Sequence, residues 1–185
     1  AEGERSMSSL EGTKTKENLE AAYREKSEIR CRYAYYAAQA KKEGYEQIAG
    51  MFQQASEYNK EHARVWFKLL NDGIGDTKEN VRQAVQTERQ LWTEQYLAYA
   101  EQAKEEGFDQ IATLFEGMAA ISKMQERGFA HMEQALETQS VFARQETLRW
   151  LCRNCGFIQT GLQAPMQCPI CAQPQAYFQP MIENG

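Results

Sequence analysis

The chain contains an internal duplication. Residues 37–52 return almost unchanged as residues 100–115. In each copy a run of strong helix formers is interrupted by Glu, Gly and an aromatic residue, at Gly44 and Gly107, and then resumes. Helix formers on both sides of a single glycine predict two helices joined by a tight turn. Two such hairpins predict an all-α protein built as a four-helix bundle.

Apolar residues at steps of three and four predict helices at about residues 15–42, 45–70 and 109–137, and a further helix that begins after Asp76. Thr13 or Thr15 is expected to cap the first helix, and Asp76 with Glu79 forms a capping box for the third. Polar residues interrupt the apolar stripes at about the same depth: Lys26, Asn59, His62, Glu88, Ser122 and Gln125. Each alone is more often an ordinary boundary or hydrogen-bonded core residue. Together they predict a shared polar layer, which is how bundles build cofactor sites.

The link between the two hairpins is short. In a bundle whose second and third helices run parallel, the link must return along a helix of about 25 residues, which is about 38 Å long. Residues 71–76 can span only about 20 Å at full stretch. Either the bundle runs up-down-up-down, or the second hairpin packs against the first hairpin of another chain in a homodimer.

Four of the five cysteines form two C-x2-C pairs near the C-terminal end: Cys152, Cys155, Cys168 and Cys171. The surrounding segment of about 40 residues is too small to fold around a hydrophobic core without a cross-link such as a bound metal ion. Four thiolates at this spacing predict a tetrahedral site for iron or zinc, and the spacing leaves both metals open. The small apolar shell is expected from three aromatic residues: Trp150, Tyr177 and Phe178.

Composition excludes several classes of partner. The chain has 21 Lys+Arg against 26 Asp+Glu and a net charge of -5, without a basic patch, which argues against a nucleic-acid partner. No apolar run reaches the roughly 18 to 20 residues of a membrane span or has the form of a signal peptide, so the expected location is the cytoplasm. We expect residues 1–9 to be a tag remnant and N-terminal tail, residues 10–140 the bundle, and residues 141–185 the metal domain.

Several short motifs occur along the chain from Gly12 onward: Gly12-Thr-Lys-Thr-Lys-Glu-Asn, Arg32-Tyr33, Lys41-Lys-Glu-Gly44, Lys60-Glu-His62, Glu105-Glu-Gly107, Cys152-Arg-Asn-Cys155-Gly and Cys168-Pro-Ile-Cys171. With these motifs the chain resembles the rubrerythrins, in which a ferritin-like four-helix domain precedes a rubredoxin-like domain. The resemblance implies one iron at the four cysteines, a homodimer with helical hairpins swapped between subunits, and a reductase that donates electrons.

The bundle departs from this family. Rubrerythrins hold two irons with five glutamates and two histidines, and the matching positions here are Lys26, Asn59, His62, Glu88, Leu91, Ser122 and Gln125. Only His62 and Glu88 match the family. Two irons carry four or more positive charges, and Lys26 adds another cation, so a classical di-iron centre is not expected. An ion pair between Lys26 and Glu88, with hydrogen bonds from the remaining polar residues, would leave the layer near neutral without metal.

The leading hypothesis is a rubrerythrin-like non-haem iron redox protein, in which a rubredoxin-type iron carries electrons while the bundle site is degenerate or free of metal. Whether the chain is an enzyme stays open. One alternative is a peroxide-reducing rubrerythrin of the NADH peroxidase type, with a metal at His62 and Glu88 or at glutamates beside the stripes: Glu25, Glu28, Glu57, Glu61, Glu94 and Glu126. Another is a non-catalytic scaffold with zinc at the cysteines. Tyr33 and Tyr96 could relay electrons or protons, or be ordinary core tyrosines.

Overall fold

The computed structural model describes residues 10–181, and the expected tag remnant at residues 1–9 lies outside them. The chain divides into two compact units, Ala1–Ile74 and Gly75–Gly185. The first contains one helical hairpin, and the second contains another hairpin followed by a small sheet. The predicted fold class, mostly helical with a small C-terminal metal domain, is confirmed. Within residues 10–181 no helix combines the length and the apolar character that a membrane span requires.

The first hairpin consists of α1, Lys14–Lys42, and α2, Glu46–Leu70. The Thr13 hydroxyl accepts a hydrogen bond from the Lys16 amide at 3.2 Å, so the first of the two predicted caps is the one used. At the turn Gly44 has a φ of +86°, and the Tyr45 amide donates to the Ala40 carbonyl at 2.9 Å. This bond over five residues is the Schellman motif, which requires a residue in the left-handed region.

The second hairpin begins with α3, Thr77–Gln90, and α4, Tyr96–Glu105, which are joined by a π-helical turn at Leu91–Gln95. Its other helix is α5, Asp109–Glu137. The Asp76 carboxylate accepts from the Glu79 amide at 2.9 Å, which confirms the predicted cap. Within the π-turn the Tyr96 amide donates to the Leu91 carbonyl, five residues earlier. The sequence predicted one uninterrupted helix here and gave no sign of this turn.

The duplication extends to the packing of the two hairpins. The first residues of α1 and of the α3–α4 segment, Lys14 and Thr77, lie 63 positions apart. Their last residues, Lys42 and Glu105, are separated by the same number of positions. The same spacing relates buried residues of α2 and α5: Ala49 and Ala112, Ser56 and Ala119, Asn59 and Ser122, Ala63 and Glu126. It also relates two aromatic clusters of Tyr33, Tyr36 and Phe52 and of Tyr96, Tyr99 and Phe115.

The apolar residues of α2 and α5 form two faces within each hairpin. Mostly small residues face the companion helix of the hairpin and are buried, because small side chains let two helices approach closely. Larger apolar residues lie on an exposed face: Ile48, Met51, Val65 and Leu69 on α2, and Ile111, Leu114, Met118, Ile121 and Met132 on α5. On these faces Ile48 is 45% exposed and Met118 is 48% exposed.

A three-stranded antiparallel sheet follows α5. Its strands are β1, Ala143–Cys152, β2, Ile158–Gln163, and β3, Phe178–Pro180, in the order β2-β1-β3. Trp150 and Phe178 are buried in its core, as expected, and the Trp150 indole donates to the Gly161 carbonyl at 3.0 Å. The expectation for Tyr177 was wrong. Its side chain is 40% exposed, because it ends a short 3₁₀ turn just before β3 and only the next residue enters the core.

Two glycines of the second hairpin allow a matched test of the turn. Gly107 has a φ of +83° and open space around a built Cβ, whereas Gly117 lies within α5 and also has open space. We expect Gly107→Ala to lower the free energy of unfolding by about 1 kcal/mol through backbone strain. Gly117→Ala is expected to raise it by about 0.5 to 1 kcal/mol through helix propensity. Urea unfolding of the full chain measures both, and changes of the same sign would contradict this interpretation.

Candidate metal centre and polar layer

The four cysteines of the C-terminal segment converge on one point. Their sulfur atoms all lie within 4.8 Å of one another. The Sγ atoms of Cys152 and Cys171 are 3.7 Å apart, and those of Cys155 and Cys168 are 3.6 Å apart. A tetrahedral ion with metal–sulfur bonds of about 2.3 Å requires sulfur atoms about 3.8 Å apart. The polypeptide therefore presents the donor set of a tetrahedral thiolate site.

Two similar turns aim these sulfurs. The Gly156 amide donates to the Cys152 carbonyl, and the Ala172 amide donates to the Cys168 carbonyl, each at 2.9 Å. Gly156 and Ala172 both have a positive φ, of +79° and +59°. Cys152 and Cys168 are buried, Cys171 is half-buried and Cys155 is exposed. An ion held here is therefore shielded on one side and approachable from the side of Cys155.

Hydrogen bonds to sulfur make the four thiols unequal. The backbone amide of Gln173 and then the side-chain amide of Asn154 lower the pKa of Cys171 to about 6. The Phe157 amide acts in the same sense on Cys155, but desolvation and the three neighbouring thiols raise the pKa of Cys155 to about 12. Cys171 is thus ionised more readily than Cys155, and binding a metal must displace the proton that Cys155 holds.

In the first hairpin the predicted polar-layer residues have different environments. Lys26 is half-buried on α1, whereas His62 is exposed on α2. Asn59 is buried, and its side-chain amide donates to the Ala55 carbonyl of its own helix at 2.8 Å. Tyr33 packs against Tyr36 and Phe52, as a core tyrosine does. Asn59 is thus engaged with its own helix rather than directed towards a shared site.

In the second hairpin the polar residues satisfy one another. Ser122 is buried and Glu88 is half-buried. With its amide nitrogen facing the carboxylate, Gln125 donates to both oxygens of Glu88 at 3.3 Å. Leu91, which stands at a ligand position of the family, opens the π-turn. Glu88 therefore has a partner within its own hairpin. The predicted pair of Lys26 with Glu88 joins the two units and stays a prediction.

Glu126 is the one glutamate of the alternative set that is buried. The sequence placed Glu126 beside the inward stripe of α5. In the structure it lies on the buried face of α5 that packs against α3. It follows the buried Ser122 by four residues and so shares its face of the helix. The Arg89 guanidinium donates to one carboxylate oxygen at 2.7 Å, and the Trp92 indole N–H donates to the other. The Trp92 and Arg89 hydrogen bonds lower the pKa of Glu126, which stays ionised.

The other glutamates proposed as alternative ligands are exposed: Glu25, Glu28, Glu57, Glu61 and Glu94. Glu57 pairs with Lys60, and Glu61 pairs with Arg64. Within either unit, no second group of three or more Cys, His, Asp or Glu side chains among the described residues brings its ligand atoms close enough to share an ion.

Sequence reasoning missed Arg89, Trp92 and Asn154. Arg89 and Trp92 are three residues apart on one helix face, a spacing that could have indicated a joint contact with the facing helix. Asn154 stands between Cys152 and Cys155, where a side-chain donor can reach a sulfur of the opposite turn. Neither spacing shows which group accepts the hydrogen bond, because Glu126 and Cys171 come close only in the folded chain.

The comparisons with known proteins agree with the two parts of the structure. The family model described as Rubrerythrin matches residues 17–95, and the model described as Rubrerythrin, rubredoxin-like domain matches residues 150–179. The chain is 44% identical to a Rubrerythrin of Porphyromonas gingivalis, over 95% of this chain and 94% of the relative. It is 39% identical to Rubrerythrin-1 of Clostridium acetobutylicum, over 96% and 100%. It is 35% identical to a Rubrerythrin of Nitratidesulfovibrio vulgaris, over 94% and 97%.

The ionised state of Glu126 leads to a pH dependence of stability. Because its pKa is lowered on folding, its contribution is complete above the pKa of an unfolded glutamate, about 4.3, and is lost as the pH falls through the lowered folded pKa. We expect the difference in Tm between the wild-type chain and Glu126→Gln to stay constant down to about pH 5 and to shrink below about pH 4. Thermal unfolding followed by circular dichroism measures this. Equal Tm values for the two chains at neutral pH would contradict a stabilising, ionised Glu126.

Proposed function

Because the chain belongs to the rubrerythrin family, we propose that it is a non-haem iron redox protein in which a rubredoxin-type iron at the four cysteines carries electrons. We propose further that the bundle holds no pair of irons. The observation that supports the first statement is the convergence of four sulfurs at tetrahedral spacing. The observation that supports the second is that Glu88 is the one carboxylate left at the five positions that match the family's glutamates.

The residues around the cysteines suit electron transfer. Bound iron would supply a one-electron couple with little change in coordination. Asn154 and the Gln173 amide donate to Cys171, and donors to sulfur favour the reduced, more negatively charged state. The buried Trp150 and Phe178 exclude water on one side, while the exposed Cys155 offers an exit for the electron. None of these groups is arranged to bind a substrate.

The hairpins do not fit a di-iron centre. The positions that match the family ligands carry one carboxylate, Glu88, and that carboxylate is within hydrogen-bonding distance of Gln125. Lys26, Asn59, Leu91 and Ser122 add no negative charge. Two irons would bring four or more positive charges into this environment, where uncompensated charge is costly. Glu126 does not supply the missing ligand, because Arg89 and Trp92 occupy both of its oxygens.

We also propose a homodimer in which hairpins pack between subunits, and a reductase that donates electrons to the iron. The exposed apolar faces of α2 and α5 support the homodimer, since related faces occur on both hairpins. The six-residue link supports hairpin exchange, since it is too short for a crossover along one helix. Sedimentation equilibrium should give twice 21.3 kDa, and a monomer would refute the homodimer.

A comparison of two electron acceptors tests the proposed function. The iron-loaded chain is reduced without oxygen and mixed either with ferricyanide, a one-electron acceptor, or with hydrogen peroxide. We expect oxidation by ferricyanide within the mixing time, because the iron needs no substrate pocket. In an assay with hydrogen peroxide, NADH and a reductase, we expect the chain to reduce no more peroxide than the reductase does alone.

Two variants make this comparison specific. Cys155→Ser is expected to lose the ferricyanide reaction. A variant that restores the family ligands carries five substitutions: Lys26→Glu, Asn59→Glu, Leu91→Glu, Ser122→Glu and Gln125→His. It is expected to gain peroxide turnover by at least about tenfold, because two positioned metals can bind and polarise peroxide. Rapid peroxide turnover by the wild-type chain would instead favour the enzyme alternative, and a colourless zinc protein would favour the scaffold.

A further inference from the structure

The π-turn at Leu91–Gln95 occurs in only one of the two duplicated hairpins. The helix α1 and the α3–α4 segment begin and end 63 positions apart, yet α1 is α-helical throughout. A π-turn widens the backbone and lengthens the hydrogen-bonded ring, so it is rare and usually tied to a local requirement. Some contact present in the second hairpin and absent from the first must therefore favour it.

Glu126 makes such a contact. Arg89 lies just before the π-turn and Trp92 lies within it, and both donate to the carboxylate of Glu126 on α5. Lys123, one turn earlier on α5, places its ammonium group 4.8 Å from the centre of the Trp92 ring. The side chain of Glu126 is 11% exposed. The carboxylate is therefore shielded from water and held by one donor just before the π-turn and one donor within it.

We propose that Glu126 is a positioning residue that holds the π-turn by binding Arg89 and Trp92 at once. An ionised acceptor makes both hydrogen bonds stronger than neutral ones, and their loss would leave a buried charge without partners. Glu126 lies in the helical hairpin and outside the four-cysteine site. Its role therefore stands or fails independently of the proposed electron transfer.

The first hairpin supplies the internal comparison. The residue 63 positions before Glu126 is Ala63, which has no acceptor, and the residue 63 positions before Trp92 is Ile29, which has no donor. Lys26 stands 63 positions before Arg89 and could donate, but no carboxylate stands where Glu126 does. The hairpin without this contact has a continuous helix, and the hairpin with it has the π-turn.

The contact also fixes which side of α3 faces α5. A π-turn uses one residue more per turn than an α-helix. Its conversion to α-helix at unchanged chain length would therefore rotate α3 relative to α4 by about 100°. Such a rotation would carry Glu88 away from Gln125, its hydrogen-bonding partner on α5. Glu126 therefore positions a polar-layer residue that it does not touch. This cross-link between the helices of the hairpin needs no metal.

The direct test is a crystal structure of Glu126→Ala, which installs the residue of the first hairpin. We expect the Tyr96 amide to donate to the Trp92 carbonyl, as in an α-helix, instead of to the Leu91 carbonyl. We also expect the Tm to fall by roughly 5 °C or more. A Glu126→Ala structure that keeps the bond from Tyr96 to Leu91 would overturn the proposal.

Glu133→Ala is the matched control. Glu133 also joins α5 to an arginine of α3, with Arg82 Nε at 3.3 Å, but far from the π-turn. The control is expected to keep the π-turn and to lose less stability, whereas a control that loses the π-turn would refute a specific role for Glu126. If Glu126→Ala does not fold, Trp92→Phe removes the indole donor and keeps an aromatic ring. Loss of the π-turn in that variant supports the proposal, and its persistence contradicts it.

Discussion

The C-terminal segment depends on four sulfur atoms that lie within 4.8 Å of one another. Apart from them, its buried core contains little more than Trp150, Ala164 and Phe178. Four crowded thiols cannot all ionise without a cation. Desolvation and the neighbouring thiols raise the pKa of Cys155, whereas the Gln173 amide and then Asn154 lower the pKa of Cys171. A bound metal ion would release that conflict and would contribute directly to folding. In this segment the formation of the metal site and the folding of the chain are therefore coupled.

In the bundle, charge argues against the pair of metal ions, in line with the function proposed above. A pair of metal ions needs several carboxylates that face one another, and the second hairpin has two glutamates at this level. Glu88 lies against Gln125, and Glu126 is held by Arg89 and Trp92. Hydrogen bonds within the hairpin thus satisfy the anions that a metal would otherwise bind. The family fold is kept, while the chemistry of its usual centre is not supported by the residues present.

Local features of this fold could be predicted from the sequence. The hairpin turns follow from Gly44 and Gly107, the helix starts follow from Thr13 and Asp76, and the metal site follows from cysteine spacing, because each depends on residues close together in the chain. The π-turn and the burial of Glu126 could not be predicted in this way. Both depend on contacts between α3 and α5, which lie some 37 residues apart in sequence. The exposure of Tyr177 was missed for the same reason, since the direction of a 3₁₀ turn depends on the sheet beside it.

The number of iron atoms per chain tests the central claim most directly. The protein is purified from iron-supplemented cells, and iron and zinc are measured together with the visible spectrum. One iron per chain, with a thiolate spectrum that reductant bleaches, is the result expected for a four-cysteine electron carrier with a metal-free bundle. About three irons per chain would mean that the bundle still binds a pair, and that Lys26, Glu88 and Glu126 do not form a metal-free layer.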